Sequence, residues 1–235
     1  MRAAFASVRH WVFDLDNTLY SARYRLFDQI DRRMGEYLMR LFGVNAEEAR
    51  RIQKDYYHRH GTTLRGLMLN GEIDDPHDYL RFVHDIDYGH IAPDPMLDAA
   101  LTRLKGRKWV FTNGSAAHAE KVMARLGITG HIDAVFDIAA ADWLPKPMAA
   151  AYEAFLKRTG IAPDQAAMFE DIARNLKTPH ELGMKTVLVR HRDNTDGNHI
   201  NQLNGDLHAP YVQFVTDDLP GFLSRLATEN IEETT

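Results

Sequence analysis

The chain is predicted to fold as an α/β protein, a parallel sheet covered by helices on both faces, with an all-helical segment inserted after the first strand. Three observations predict this. Short continuous apolar runs alternate with amphipathic helical patterns: Trp11-Val12-Phe13, Trp109-Val110-Phe111, Ala134-Val135-Phe136, Ala167-Met168-Phe169, Thr186-Val187-Leu188-Val189 and 212–215. Uninterrupted apolar strands mark a parallel sheet buried on both faces. The span between the first two runs carries helical periodicity and no strand pattern. Three runs end directly in polar residues, Asp14, Thr112 and Glu170, and ligands bind such sheets outside the carboxyl ends of the strands.

Taken in order, the first strand is followed by Leu26, Phe27, Ile30, Met34, Tyr37, Leu38 and Leu41 at helical spacing, with Gly43 as the stop. A second helix covers Ala46 to His60, a third starts near Thr62, and a fourth starts at Asp75-Pro76 with Asp as N-cap and Pro at the first helical position. Pro93 and Pro95 read as the hinge returning to the sheet. Helices are expected at 116–126, ending at Gly127, at 148–159, and at 172–182, ending at Gly183 with Pro179 in its last turn. The stretch 191–210 is rich in Asn, Asp, Gly and His and reads as a long functional or mobile loop. The expected division is a sheet domain of 1–20 and 94–226, a helical insertion of 21–93 and a frayed polar tail of 227–235.

Composition narrows the partners. The 235 residues are 45% hydrophobic and 26% charged, ordinary globular values. A formal charge of -5 gives no reason to expect a nucleic-acid polymer or a membrane as partner, since these favour basic surfaces. No apolar run approaches the roughly 18 residues a membrane span requires. The first residues run straight into a strand, which argues against a secretory signal, and a cytoplasmic location is expected. The absence of cysteine excludes disulfides, thiolate metal sites and cysteine catalysis. Oligomeric state is left open between monomer and homodimer.

Four segments carry chemistry. Asp14-Leu15-Asp16-Asn17-Thr18 places two carboxylates at a strand end, where a cation or a shared proton must offset their repulsion. Magnesium suits such oxygen ligands, although an isolated Asp-x-Asp is more often a solvated turn. Thr112-Asn113-Gly114-Ser115 offers hydroxyl, amide and N–H groups at a helix start, which suit a phosphate or simply cap the helix. Lys146, between Pro145 and Pro147, is a stiffly held ammonium able to neutralise phosphate and carboxylate, or else a surface lysine in a turn; Pro147 can open the next helix. Glu170-Asp171, at another strand end, completes a magnesium site or caps a helix.

Together, in this order and beside successive apolar runs, these segments resemble the four motifs of the haloacid dehalogenase-like (HAD) hydrolase superfamily. The resemblance implies a Rossmann-like HAD core with the helical insertion as its cap. Within the superfamily, Asp-Leu-Asp-Asn-Thr-Leu-Tyr, the stretch Tyr56-Tyr57 to Thr63-Leu64-Arg65-Gly66-Leu67 and Asn175 look closest to the pyrimidine 5′-nucleotidase group; that group more often shows two aspartates where Glu170-Asp171 stands. The implied activity is magnesium-dependent hydrolysis of a small phosphorylated metabolite, a pyrimidine nucleoside 5′-monophosphate such as UMP or CMP. The implied roles are Asp14 as nucleophile, Asp16 as acid and base, and Thr112, Asn113 and Lys146 holding the phosphoryl oxygens. Magnesium is implied at Asp14, Asp171 and the Asp16 carbonyl, with Glu170 direct or through water. Thr63, Arg65 and Gly66 are expected to contact substrate from the cap.

Alternatives stand beside this reading. The same helices suit a broad phosphatase for sugar or other small phosphates. A mutase or dehalogenase on this fold is a second option, although Asp16 favours phosphate chemistry because a halide leaves without a proton. A non-catalytic binding protein is a third, and the intact Asp14, Asp16, Lys146 and Asp171 argue against it. The twelve histidines, among them His58, His60, His191, His199 and His208, read as scattered surface residues rather than a zinc site.

Overall fold

Six strands form one all-parallel sheet in the order β3-β2-β1-β4-β5-β6, seen in a computed structural model that describes residues 2–190 and 208–227. The strands are β1 (His10–Phe13), β2 (Arg107–Phe111), β3 (Ala134–Phe136), β4 (Ala166–Glu170), β5 (Lys185–Val189) and β6 (Phe214–Thr216). Register sets Phe13 beside Val110 on one side and Phe169 on the other. The carboxyl ends of β1, β2 and β4 therefore finish together. The strand order reverses at β1, so a crevice opens there. The last strand lies two residues later than the apolar run 212–215 suggests.

Alternation along each strand divides the core. Phe13, Val110, Ala167, Phe169 and Val187 pack in one cluster with helices α5 (Pro95–Arg103), α6 (Ala116–Leu126) and α9 (Leu219–Ala227). Val12, Phe111, Met168 and Leu188 pack in the other with α7 (Ala149–Thr159). Neighbouring residues of a strand point to opposite faces, and both faces are covered, which is why the strands read as unbroken apolar runs.

The insertion is helical as expected: α1 (Leu26–Phe42), α2 (Ala46–His60), α3 (Thr63–Leu69) and α4 (Pro76–Val83). α1 stops at Gly43, whose φ of 66° is left-handed and costs a glycine little. Asn45, Thr62 and Asp75 cap the next three helices by accepting from Glu48, Arg65 and His77 N–H. Ile30, Leu38, Tyr56, Leu67, Tyr79 and Val83 form a third core, which Ile138 from the sheet side joins.

Three boundaries differ from expectation. Pro95 opens α5 behind its N-cap Asp94, so it starts a helix instead of forming a hinge loop. Pro147 does not open a helix, because α7 begins at Ala149 behind Met148. The single helix expected over 172–182 is a 3-10 turn (Ala173–Leu176) followed by the short α8 (Lys177–Glu181). Pro179 has no N–H for the Asn175 carbonyl, which accepts instead from the buried Tyr152 hydroxyl at 2.6 Å. Most of the 191–210 loop and of the tail, with His191 and His199, lies outside the described residues.

Candidate active site

The site is built where β1, β2 and β4 end. Asp14 follows β1, and its N–H donates to the Phe169 carbonyl at 2.9 Å, extending the ladder by one residue. The chain then turns through Asn17, at a φ of 61°, a left-handed conformation that Asn tolerates. That turn brings Thr18 back so that its hydroxyl donates to Asp14 Oδ2 at 2.9 Å. Asp14 Oδ1 accepts from Lys146 Nζ at 2.7 Å.

Lys146 is 2% exposed. Its ammonium also donates to Glu170 Oε1 at 2.9 Å and to the Phe111 carbonyl at 2.8 Å. Burial alone would push its pKa down; Asp14 and Glu170 outweigh that and hold the ammonium charged. The segment carrying it is fixed by Asn113. The Asn113 amide accepts from Lys146 N–H at 2.8 Å and donates to the Lys146 carbonyl at 3.1 Å.

The Asn113 amide thus positions Lys146 with its oxygen and one Nδ2 hydrogen, and its second Nδ2 hydrogen remains to donate. Two of the first three N–H groups of α6 are also occupied. Ala116 donates to Asp137 and His118 to Ser115, so the capping alternative accounts for that helix end. Thr112, 1% exposed, accepts from Gly114 N–H at 2.9 Å and keeps its own hydroxyl hydrogen to donate.

Asp14, Glu170 and Asp171 bring carboxylate oxygens within 4.8 Å of one another, and among the described residues they form the group able to hold a metal ion. No histidine belongs to it, and His84 and His118, expected among the surface histidines, are instead buried and stacked on each other. Burial, with Glu170 and Asp16 adding to it against the pull of Lys146, pushes Asp14 up to about 7. Burial, Glu170 and Asp14 push Asp171 well above the carboxylate range. Glu170 Oε1 already accepts from Lys146 and from Asn175 Nδ2 at 2.7 Å, whereas Oε2 accepts from Ile172 N–H at 2.8 Å and keeps a lone pair for a metal ion or a water.

Asp16 stands apart from this cluster. Its Oδ1 accepts from the Tyr20 hydroxyl at 2.5 Å and meets His118 Nε2 at 2.8 Å. Burial would raise its pKa, but His118 and Tyr20 outweigh that and hold it low. Sequence reasoning missed this shell. Tyr20 lies one helical turn after Asp16, a spacing that offered a hint, whereas His118 reaches Asp16 from another strand's connection.

Of the cap candidates, only Arg65 crosses to the sheet side, donating to the Trp143 carbonyl at 3.4 Å. Thr63 is corrected: it is 4% exposed, with its hydroxyl turned to the Gln53 carbonyl at 3.5 Å. Gly66 is corrected too, because the Tyr56 ring fills the space where its side chain would stand. Sequence reasoning also passed over Arg174, whose guanidinium donates to the Tyr57 hydroxyl and lies 4.8 Å from that ring centroid. A cavity of about 640 Å³ beside Phe5, Trp11 and Arg103 lies at the opposite, amino-terminal edge of the sheet and holds none of these acids.

No helix among the described residues is long and apolar enough to cross a membrane. Comparison with curated proteins finds Phosphate metabolism protein 8 of Saccharomyces cerevisiae, 28% identical over 193 residues. The match covers 75% of this chain but 60% of the length of that relative. Among solved structures, a HAD phosphatase from Thermococcus onnurineus superposes with a TM-score of 0.60 at 17% identity, covering 93% of this chain and 98% of that one. The L-2-haloacid dehalogenase of Xanthobacter autotrophicus superposes at 0.54 with the same identity and coverage. At this identity both establish the fold alone. The haloacid dehalogenase-like hydrolase family model matches residues 8–183, three quarters of the chain and all four motifs, and the chain belongs to that family.

Proposed function

We propose that the chain is a magnesium-dependent phosphomonoesterase that works through an aspartyl-phosphate on Asp14 and acts on pyrimidine nucleoside 5′-monophosphates such as UMP and CMP. The observation that carries the phosphatase reading is the pair Asp14 and Asp16. They stand two residues apart, one tied to Lys146 and the other held separately by Tyr20 and His118. A phosphate ester needs both a nucleophile and a proton donor for the departing alkoxide, whereas a halide leaves without a proton.

Magnesium fits the residues present. Three carboxylates lie together around one ammonium, and burial disfavours the charged forms of Asp14 and Asp171. Asp14 and Asp171 are the side chains that would hold the ion directly, with Glu170 Oε2 direct or through water and the Asp16 carbonyl as the resemblance implies. When bound, it offsets charge on the phosphate and carboxylate oxygens.

In the first step an Asp14 oxygen attacks phosphorus, the ester P–O bond breaks, and Asp16 gives its proton to the leaving oxygen. In the second, Asp16 takes a proton from water, the water oxygen attacks phosphorus, and the acyl-phosphate bond to Asp14 breaks. Lys146 and Thr112 hold the transferring oxygens. Calcium, larger and looser in coordination, is expected to inhibit by drawing both Asp14 oxygens away from attack geometry.

Metal dependence has a pH signature. A carboxylate whose folded-state pKa is raised contributes stability that is present below its unfolded value and lost as pH rises through the folded one, about 7 for Asp14. Metal-free protein should therefore lose this contribution between the ordinary carboxylate range and about pH 7, where deprotonated oxygens become free to take magnesium. The Tm gain on adding magnesium should be larger at pH 8 than at pH 5.5, and chelator should abolish turnover. Full activity in excess chelator would exclude this metal site.

The substrate reading rests on the cap stretch 56–67 and on Arg65, Tyr57 and Arg174 at the border between insertion and sheet. Aromatic and arginine side chains stack a flat base and bond its edge. Comparing kcat/KM for UMP, AMP and a sugar phosphate decides it. A clear advantage for UMP is expected; equal values would leave a broad small-metabolite phosphatase.

A further inference from the structure

Among the described residues, every hydrogen bond to the Asp16 carboxylate enters through one oxygen. Tyr20 Oη at 2.5 Å and His118 Nε2 at 2.8 Å both meet Oδ1. Two donors on one oxygen fix the rotation of the carboxylate and leave Oδ2 as the atom with its lone pairs open. An ionised Asp16 needs Nε2–H as donor. The Tyr88 hydroxyl lies 2.9 Å from His118 Nδ1 and donates to the His84 carbonyl at 3.0 Å, so it ties His118 to the return from the cap.

The histidine is itself held from three sides. Its side chain is fully buried on α6. The His84 ring, just past the end of α4, lies flat on it with centroids 4.4 Å apart and planes 12° apart. His84 Nδ1 meets the Ser115 hydroxyl at 2.9 Å, and burial, with His118 beside it, pushes His84 down to about 3, so the stacked ring is neutral. Tyr88 comes from the segment that leads from the insertion back to the sheet. A buried histidine with both ring nitrogens matched and one face covered has a single orientation, and that orientation aims Nε2 at Asp16.

Resting on Asp16 as the acid and base proposed above, we infer that His118 is its positioning residue. It pins Oδ1 so that Oδ2 carries the proton to and from the reacting oxygens, and His84 and Tyr88, at the return from the cap, hold it in place. A packing role alone would lower activity for every substrate alike. A positioning role depends on how much the leaving group needs a proton.

The experiment measures single-turnover phosphorylation of the enzyme by phenyl phosphate and by 2,4-dinitrophenyl phosphate, whose phenolate leaves unprotonated. His118→Leu should slow phenol release by about 100-fold, the low end of what general acid catalysis supplies, while dinitrophenolate release stays near wild type. His118→Gln, whose amide nitrogen falls near Nε2, should recover most of the loss. Tyr88→Phe, which touches neither Asp16 nor the reacting atoms, should show the same selectivity more weakly, and it serves where His118→Leu does not fold. Equal losses with both esters, or no loss with either, overturn the inference. Asp16→Asn runs in parallel. If it alone is leaving-group selective, His118 has no such role and the phosphatase reading stands. If it is not selective, Asp16 is not the acid, and that reading falls together with the inference.

Discussion

Asp14→Asn is expected to lower turnover by at least about 10⁴-fold, the scale on which removing a covalent nucleophile acts, with the fold intact. The amide keeps the shape of the carboxylate, and its oxygen still accepts from Lys146 Nζ, which also retains Glu170 and the Phe111 carbonyl. The charge it removes is one that burial already opposes, since Asp14 is pushed up to about 7. Above that pH the wild-type site carries the charge at a cost, so at pH 8 in chelator the variant's Tm should equal or exceed that of wild type. Burst kinetics with a chromogenic phosphate ester supply the second readout, because no aspartyl-phosphate can form. A variant that keeps a tenth of wild-type turnover would remove Asp14 from the mechanism.

The parts of this site that were legible in the sequence are those fixed by backbone position. Asp14, Thr112 and Glu170 each follow an apolar run, and parallel register carries all three to one edge. The four helices of the insertion were legible because periodicity and capping agree at Asn45, Thr62 and Asp75. What side chains do once there was less so. Asn113 and Lys146 lie far apart in sequence, and the pairing of the Asn113 amide with the Lys146 backbone appears only when the end of β2 and the 144–148 turn meet.

Glu170 shows the same limit. An acid beside Asp171 reads as a metal ligand, and the pattern does not show that Lys146 and Asn175 take Oε1 and the Ile172 N–H shares Oε2. Thr63 and Gly66 lie in a stretch that looks substrate-facing, yet both turn inward, one to Gln53 and one to the Tyr56 ring. The face a short helix presents is set by packing, and seven residues of α3 carry too little periodicity to reveal it. His118 is the clearest case. On α6 it occupies an inward position like Ala119 and Val122, so the pattern marks it as core and says nothing of Asp16.

Lys146→Met tests the electrostatic design most severely. The ammonium is buried, and it lies 2.7 Å from Asp14 and 2.9 Å from Glu170, with Asp171 in the same cluster. An exposed pair such as Arg25–Asp28, with side chains 72% and 57% exposed, contributes about 0–1 kcal/mol because water screens it. Breaking a buried pair leaves uncompensated charge and costs about 3–5 kcal/mol. Methionine fills the volume, and the Asn113 contacts to the backbone of residue 146 do not depend on its side chain, so the loss measured is that of the charge. The pH dependence has a definite sign. Lys146 lowers the Asp14 pKa, so without it Asp14 titrates higher still. The variant is then least penalised at low pH, where Asp14 is protonated, and the deficit against wild type widens as pH rises toward 8. Urea unfolding in chelator at pH 5.5 and pH 8 measures both values, and turnover should fall with the loss of the group that holds the phosphoryl oxygens. A variant as stable as wild type at pH 8 would show that the three acids do not depend on Lys146 for their place in the fold.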